Sequence, residues 1–316
     1  MNRIWSRVAL TASIVGLQAA MLPALNHYTI RAEKKKIILQ HADTIEGGEA
    51  GGTTYRSAAG NVLFLHDKVT LRCDRATDYP SQQKIVLQGN VFIADDTIEI
   101  RADKGVYYPE RETGELTGNV RGRVADNSIV ARARSAVINK ADNRIWLNGD
   151  AIAWQERRQV SGEVISLHIR EASGEAKKRR IDEVQVEGNA FFAARDTISV
   201  APAAYDQLRG KTLELRMDDN SRITGITATR EAEILYHLYD ENRKPSGINY
   251  SSGNMIRMFF REGTLKRVKV TGNVEGKQYP EQFRGERSIN LSGFAWRESE
   301  NPFRDKKSLP QTEGLE

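Results

Sequence analysis

From about Ile37 onward the chain alternates apolar and polar residues with a period of two. In residues 97–102, Ile98, Ile100 and Ala102 share one face, and Glu99 and Arg101 share the other. Residues 128–135 repeat the arrangement, with Ile129, Ala131 and Ala133 set against Arg132 and Arg134. Residues 211–217 do so again, with Leu213, Leu215 and Met217 opposite Glu214 and Arg216. Runs of this kind, bounded by Asp, Asn, Gly and Ser clusters, predict antiparallel strands with one dry and one wet face. Almost no 3.6-residue periodicity is present, so the expected fold class is all-β.

The strands are written as repeats. Gly-Asn-Val occurs at Gly60, Gly89 and Gly118, two steps of 29 residues, and again at Gly272. Gly149-Asp150-Ala151 and Gly188-Asn189-Ala190 are weakened copies. A second unit pairs a small residue with a polar one: Ala42-Asp43, Cys73-Asp74, Ala102-Asp103 and Ala133-Arg134. The C-terminal part has a longer echo, in which Leu213 aligns with Ile256, Ile226 with Val268 and Ala232 with Val274, and Arg230 stands in the place of Gly272. Two-strand repeats cannot bury a face alone and must join into one continuous sheet that closes or folds over on itself. Parity puts Leu116, Gly118, Val120, Gly122 and Val124 on one face, so the repeated glycine is expected to point inward and crease the sheet.

Composition narrows the chemistry. The chain has 316 residues, enough for a core without covalent staples, and a formal charge of +5. Its single cysteine, Cys73, permits no internal disulfide and reads as a small core residue. Five scattered histidines lack metal-ligand spacing, so no metal or other cofactor is expected. No phosphate loop, nucleophile elbow or metalloprotease motif is present, and the chain is not expected to be an enzyme. The Lys-Lys-Arg-Arg run at residues 177–180 reads as a solvated turn, with anionic lipid phosphates as its natural ligand if it binds anything. Nucleic acid is not an expected partner. At the N-terminus, Arg3 and Arg7 precede a mostly apolar run to Leu25, the layout of an export signal. Residues 1–24 are read as a signal peptide or a retained N-terminal anchor, and the remainder as exported.

Residues 41–47 (HADTIEG), 60–79 (GNVLFLHDKVTLRCDRATDY) and 87–108 (LQGNVFIADDTIEIRADKGVYY) resemble the OstA-like repeats of the LptA and LptC lipopolysaccharide-transport proteins. Residues 249–280 and 290–296 (NLSGFAW) resemble the terminal part of the longer OstA-like proteins. The resemblance implies an elongated antiparallel β-jelly-roll whose apolar groove carries the acyl chains of lipopolysaccharide across the periplasm to the outer membrane. It also implies partners among the other transport components, joined through terminal strands, and the possibility of a homo-oligomer. Residues 37–170 form an expected N-terminal repeat region, residues 171–297 a second one continuous with it, and residues 298–316 a disordered tail.

Parity and the resemblance together name the expected groove lining: Val62, Phe64, Leu71, Val91, Ile93, Ile98, Ile100, Val120, Val124, Ile129, Val186, Phe192, Leu213, Leu215, Ile256 and Met258. Small inward residues such as Cys73, Ala102, Ala131 and Gly122 are expected to leave room among them. The alternatives are a cell-envelope repeat protein with a packed core and head-to-tail assembly, or a glycan-acting enzyme with two convergent carboxylates.

Overall fold

The structure, a computed structural model, describes residues 37–124, 128–171, 179–198 and 202–304. The expected signal or anchor at residues 1–24, together with Lys177 and Lys178 of the basic run, lies outside them. The fold is all-β, an antiparallel β-jelly-roll made from one curled sheet of 16 strands. The strands are β1 (Ile37–His41), β2 (Thr44–Ala50), β3 (Thr53–His66), β4 (Val69–Tyr79), β5 (Lys84–Ala94), β6 (Ile98–Tyr108), β7 (Thr113–Val124) and β8 (Val130–Asn139). They continue as β9 (Arg144–Gln155), β10 (Arg158–Glu171), β11 (Arg179–Arg195), β12 (Tyr205–Met217), β13 (Ile223–Tyr239), β14 (Pro245–Arg261), β15 (Thr264–Thr271) and β16 (Glu275–Tyr279). From β3 to β14 each strand pairs with the next in sequence; β1 and β2 share the free side of β3, and β15 and β16 share the free side of β14. Among the described residues no ladder joins the first strands to the last, so the sheet they form is open.

The repeated glycine marks a bulge. Two consecutive residues are left-handed at Gly60-Asn61, Gly89-Asn90, Gly118-Asn119, Gly149-Asp150, Gly188-Asn189, Arg230-Glu231 and Gly272-Asn273. Around Gly89-Asn90 the register shifts in the ladders to both neighbours. The second sequence unit is the counterpart of the first. A Cβ on Gly89 would lie 2.2 Å from Asp74 Oδ2, and the Asn90 side-chain amide donates to the same carboxylate at 2.9 Å. Asn61 clasps Asp43 at 3.2 Å, Asn119 clasps Asp103 at 2.7 Å and Asn189 clasps Glu163 at 3.1 Å. In the copy without glycine the charges are exchanged, and Lys211 Nζ meets Glu231 at 3.1 Å.

The glycine is therefore not inward. It faces polar side chains on the outer surface, exposed acids at Gly60, Gly89, Gly118 and Gly188, Arg134 at Gly149 and Asn254 at Gly272, which corrects the expectation of an inner glycine crease. Counting by two fails because the left-handed pair leaves the pleat, and the acid-bearing strands change phase beside it. Cys73 and Ala76, Ala102 and Gly105, and Ala133 and Ala136 all point inward, with two outward residues between each pair.

The inner face packs against itself. One apolar cluster runs from Ala58 on β3 to Met258 on β14, and because all its strands belong to one sheet, the sheet must curl for them to meet. Contacts distant in sequence hold the curl. Gln155 at the end of β9 donates to the Ser221 carbonyl at 2.6 Å, and Arg158 to the Gly263 carbonyl at 3.0 Å. Arg179 pairs with Asp95 at 2.6 Å, both largely buried.

Beyond β16 the chain forms a strap over the outer face, running from β14 back toward β8. Ile289, Leu291, Phe294 and Trp296 pack on Phe191, Ala193, Leu235 and Ile248. Gln207 and Gln159, buried on the sheet, hydrogen-bond strap backbone at Leu291, Ala295 and Arg297. Arg297 grips Asp150 at 2.8 and 3.0 Å, and Phe303 packs with Val130, Ile152 and Trp154. Of the stretch expected to be disordered, residues 298–304 are thus placed against the sheet, and residues 305–316 lie outside the described part.

Candidate functional site

All sixteen residues named as groove lining come together. Fourteen are buried in the single inner cluster, and Ile98 and Val124 pack against it partly buried. Fifteen sit on strands whose alternation aims them inward and Ile129 lies just before β8, and the phase change at the acid-bearing strands leaves them in place because they lie before or beyond it. Cys73 shares this interior, where burial pushes its thiol up to about 11 and leaves it protonated and inert.

The interior is filled rather than hollow. Its apolar cavities measure only about 40, 30 and 30 Å³, each room for no more than a few water molecules. At two small inward positions larger neighbours lean in and take up most of the room. A Cβ on Gly105 would lie 2.8 Å from the Leu116 side chain, and one on Gly122 would lie 3.2 Å from that of Ile100.

At one end the packing gives way to an open mouth of about 810 Å³. Its floor is apolar: Ala194, Tyr236, Phe260, Leu265 and Val268 line it and also pack against the inner cluster. Its rim is basic, with Arg157, Arg158, Arg195, Arg243, Lys266 and Arg267. The three carboxylates at its wall are each engaged. Asp196 is 5% exposed and pairs at 2.7 Å with Arg284, itself 3% exposed, while Tyr239 donates to the same carboxylate. Asp206 accepts from the ring and backbone of His237 at 2.9 Å, and Glu156 lies 3.8 Å from Arg158. Among the described residues no three His, Cys, Asp or Glu side chains converge as a metal-ligating group. His66 is buried, with Nδ1 2.6 Å from the Tyr107 hydroxyl, and His168 meets Asp182 at 2.6 Å.

The strap and the basic mouth are absent from the sequence expectations. A signal for the strap existed in the unalternating runs Ala-Ile-Ala-Trp at 151–154 and Ala-Phe-Phe-Ala at 190–193, where all four residues are buried. A strand that loses alternation is covered on both faces. For the mouth no local signal exists, since its cations come from four separate turns and strand ends.

No curated protein matches the chain in sequence. Among solved structures it is similar to LptH, the LptA homologous periplasmic component of the lipopolysaccharide transport device from Pseudomonas aeruginosa, at 14% identity and a TM-score of 0.34, covering 48% of this chain and 95% of that one. A fainter likeness, at 7% identity and a TM-score of 0.10, covers 74% of this chain and 94% of a porin-like protein from Bacteroides uniformis. In sequence, the OstA-like protein family matches residues 34–145. That span takes in β1 through β8 and the first three Gly-Asn bulges with their acids, so the likeness to the OstA-like family rests on this stretch of the chain.

Proposed function

We propose that the chain is a periplasmic lipid-binding component of lipopolysaccharide transport, carrying or bridging acyl chains along the inner face of its sheet. The OstA-like match supports a role in lipopolysaccharide transport at the level of the family, and a carrier needs no bond-making groups. The observation that carries the reading is the continuity of one apolar face, from Val62 to Met258, in a sheet whose two edges are not joined. An open curl widens by rolling, and no backbone ladder has to break. Acyl chains entering it replace side-chain contacts with contacts to lipid and gain about 0.8 kcal/mol per methylene removed from water. Other transport components, or a second copy, would join at the free sides of β1–β2 and β15–β16, where no other strand among the described residues pairs with the backbone.

A photo-crosslinker at Ile100, buried on the inner face, is expected to capture lipopolysaccharide in cell envelopes, whereas one at Arg101, its outward neighbour, is not. The same contrast is expected between Leu265 on the floor of the mouth and Lys269, exposed on the same strand. Equal labelling within both pairs would sink the assignment.

The small cavities favour a second reading, in which the core stays dry and the protein is a structural repeat module of the envelope. That reading expects no lipid adduct at Ile100 or Leu265 and no lipid in the mass spectrum of the purified protein.

A further inference from the structure

The open mouth has an unbalanced charge. Arg157, Arg195, Arg243, Lys266 and Arg267 line it without an ion-pair partner among the described residues, while its three carboxylates are held by Arg284, His237 and Arg158. Gathering five unpaired cations around one concavity is unfavourable by mutual repulsion unless an anion joins them. Four of the five are arginines, whose planar forks match the oxygens of a phosphate. Directly beneath them lies the floor of Tyr236, Phe260, Leu265 and Val268, continuous with the apolar interior. A soluble anion has no use for that floor, and a neutral lipid has no use for that rim.

We propose that the mouth is a headgroup subsite that takes the phosphate of an anionic amphiphile, with the acyl chain lying on the floor and pointing into the curl. This rests on the acyl-carrier reading and adds polarity to it: lipid enters tail-first at this end, and as it moves on into the curl its phosphate is the last group to be released.

The test uses the purified chain and three probes: dodecyl phosphate, dodecyl maltoside as a neutral amphiphile of the same chain length, and inorganic phosphate. Calorimetric titration is done below the micelle concentration, at low and at high salt. Dodecyl phosphate is expected to bind at least about tenfold more tightly than dodecyl maltoside, the equivalent of one charge-assisted contact. That ratio should shrink as salt is raised. In the triple variant Arg157→Gln/Arg195→Gln/Lys266→Gln the ratio should fall to about one. Arg121→Gln, which removes an exposed cation on β7 outside the mouth, should leave it unchanged. Equal binding of the two amphiphiles by the unaltered chain, or a ratio unmoved by the triple variant, overturns the headgroup subsite alone. Inorganic phosphate binding as tightly as dodecyl phosphate also overturns it, since the anion would then need no tail. If neither amphiphile binds, both this inference and the carrier reading fail.

Discussion

A methyl group on Gly89 meets two obstacles of different origin. The φ of +72° strains any L side chain, and the Asp74 carboxylate stands 2.2 Å from where Cβ would be. Gly89→Ala is therefore expected to lower stability by about 1–3 kcal/mol in a urea titration. Adding Asp74→Ala should return part of the loss, because it removes the clash and leaves the backbone strain. Strictly additive losses would show that the clash is not a source of the effect. Arg230 shows that the left-handed position is not closed to side chains: it holds φ +60° beside Glu231 at +55°, with Lys211 supplying the charge opposite Glu231. The motif is thus a conformation with a polar partner, and glycine is its least strained occupant.

Among the elements, the strap behaves as a separately fastened part. Its N-terminal fastening is the buried pair Arg284–Asp196, supported by Glu281 and Tyr239. Arg284→Met leaves Asp196 charged in a dry place and is expected to cost about 3 kcal/mol in urea unfolding, and adding Asp196→Asn should recover most of it. Its C-terminal fastening is acid-sensitive. Hydrogen bonding from Arg297, with Arg132 assisting, holds the Glu300 carboxyl down to about 2, from an ordinary 4.5, and Arg297 likewise lowers Asp150. A carboxyl depressed on folding stabilises above its unfolded value and loses that contribution as pH falls through its folded one. The strap end should therefore loosen between about pH 4.5 and 2, read as a red shift in emission from Trp296 and Trp154, and Glu300→Gln should flatten that response. The strands were legible from the sequence because a period of two is a property of extended backbone, and the lining residues from Val62 to Met258 follow from it. The outward glycines were not legible, since two left-handed residues cannot be told from pleated ones by counting. Nor was the strap, because residues 280–304 carry no periodicity and reveal themselves only in what they cover at Trp154 and Phe191.

For the sheet as a whole, covering is uneven. Strands β9–β13 bury residues on both faces under the strap, while β4–β6 expose Arg72, Asp74 and Asp103 on their outer side. Amide exchange is expected to be slowest in β9–β13 and measurably faster in β3–β6, with opening graded along the sheet rather than uniform. Uniform protection would mean that the strap adds nothing to the strands beneath it. A sheet assembled from look-alike hairpins also faces a danger that a sheet of dissimilar strands does not: one copy pairing with another's neighbour, or slipping by a residue, at little loss of apolar contact. The clasps act as addresses against that error. A bulge that slips by a residue along its own partner finds no carboxylate for its asparagine. Glu231, which takes a lysine where other copies present an acid, would meet repulsion if it were docked on Asp74 or Asp103. The polar pairs on the wet surface thereby hold each hairpin in register, and the Lys211–Glu231 pair also sets its copy apart from the others, while the dry side gives no such instruction.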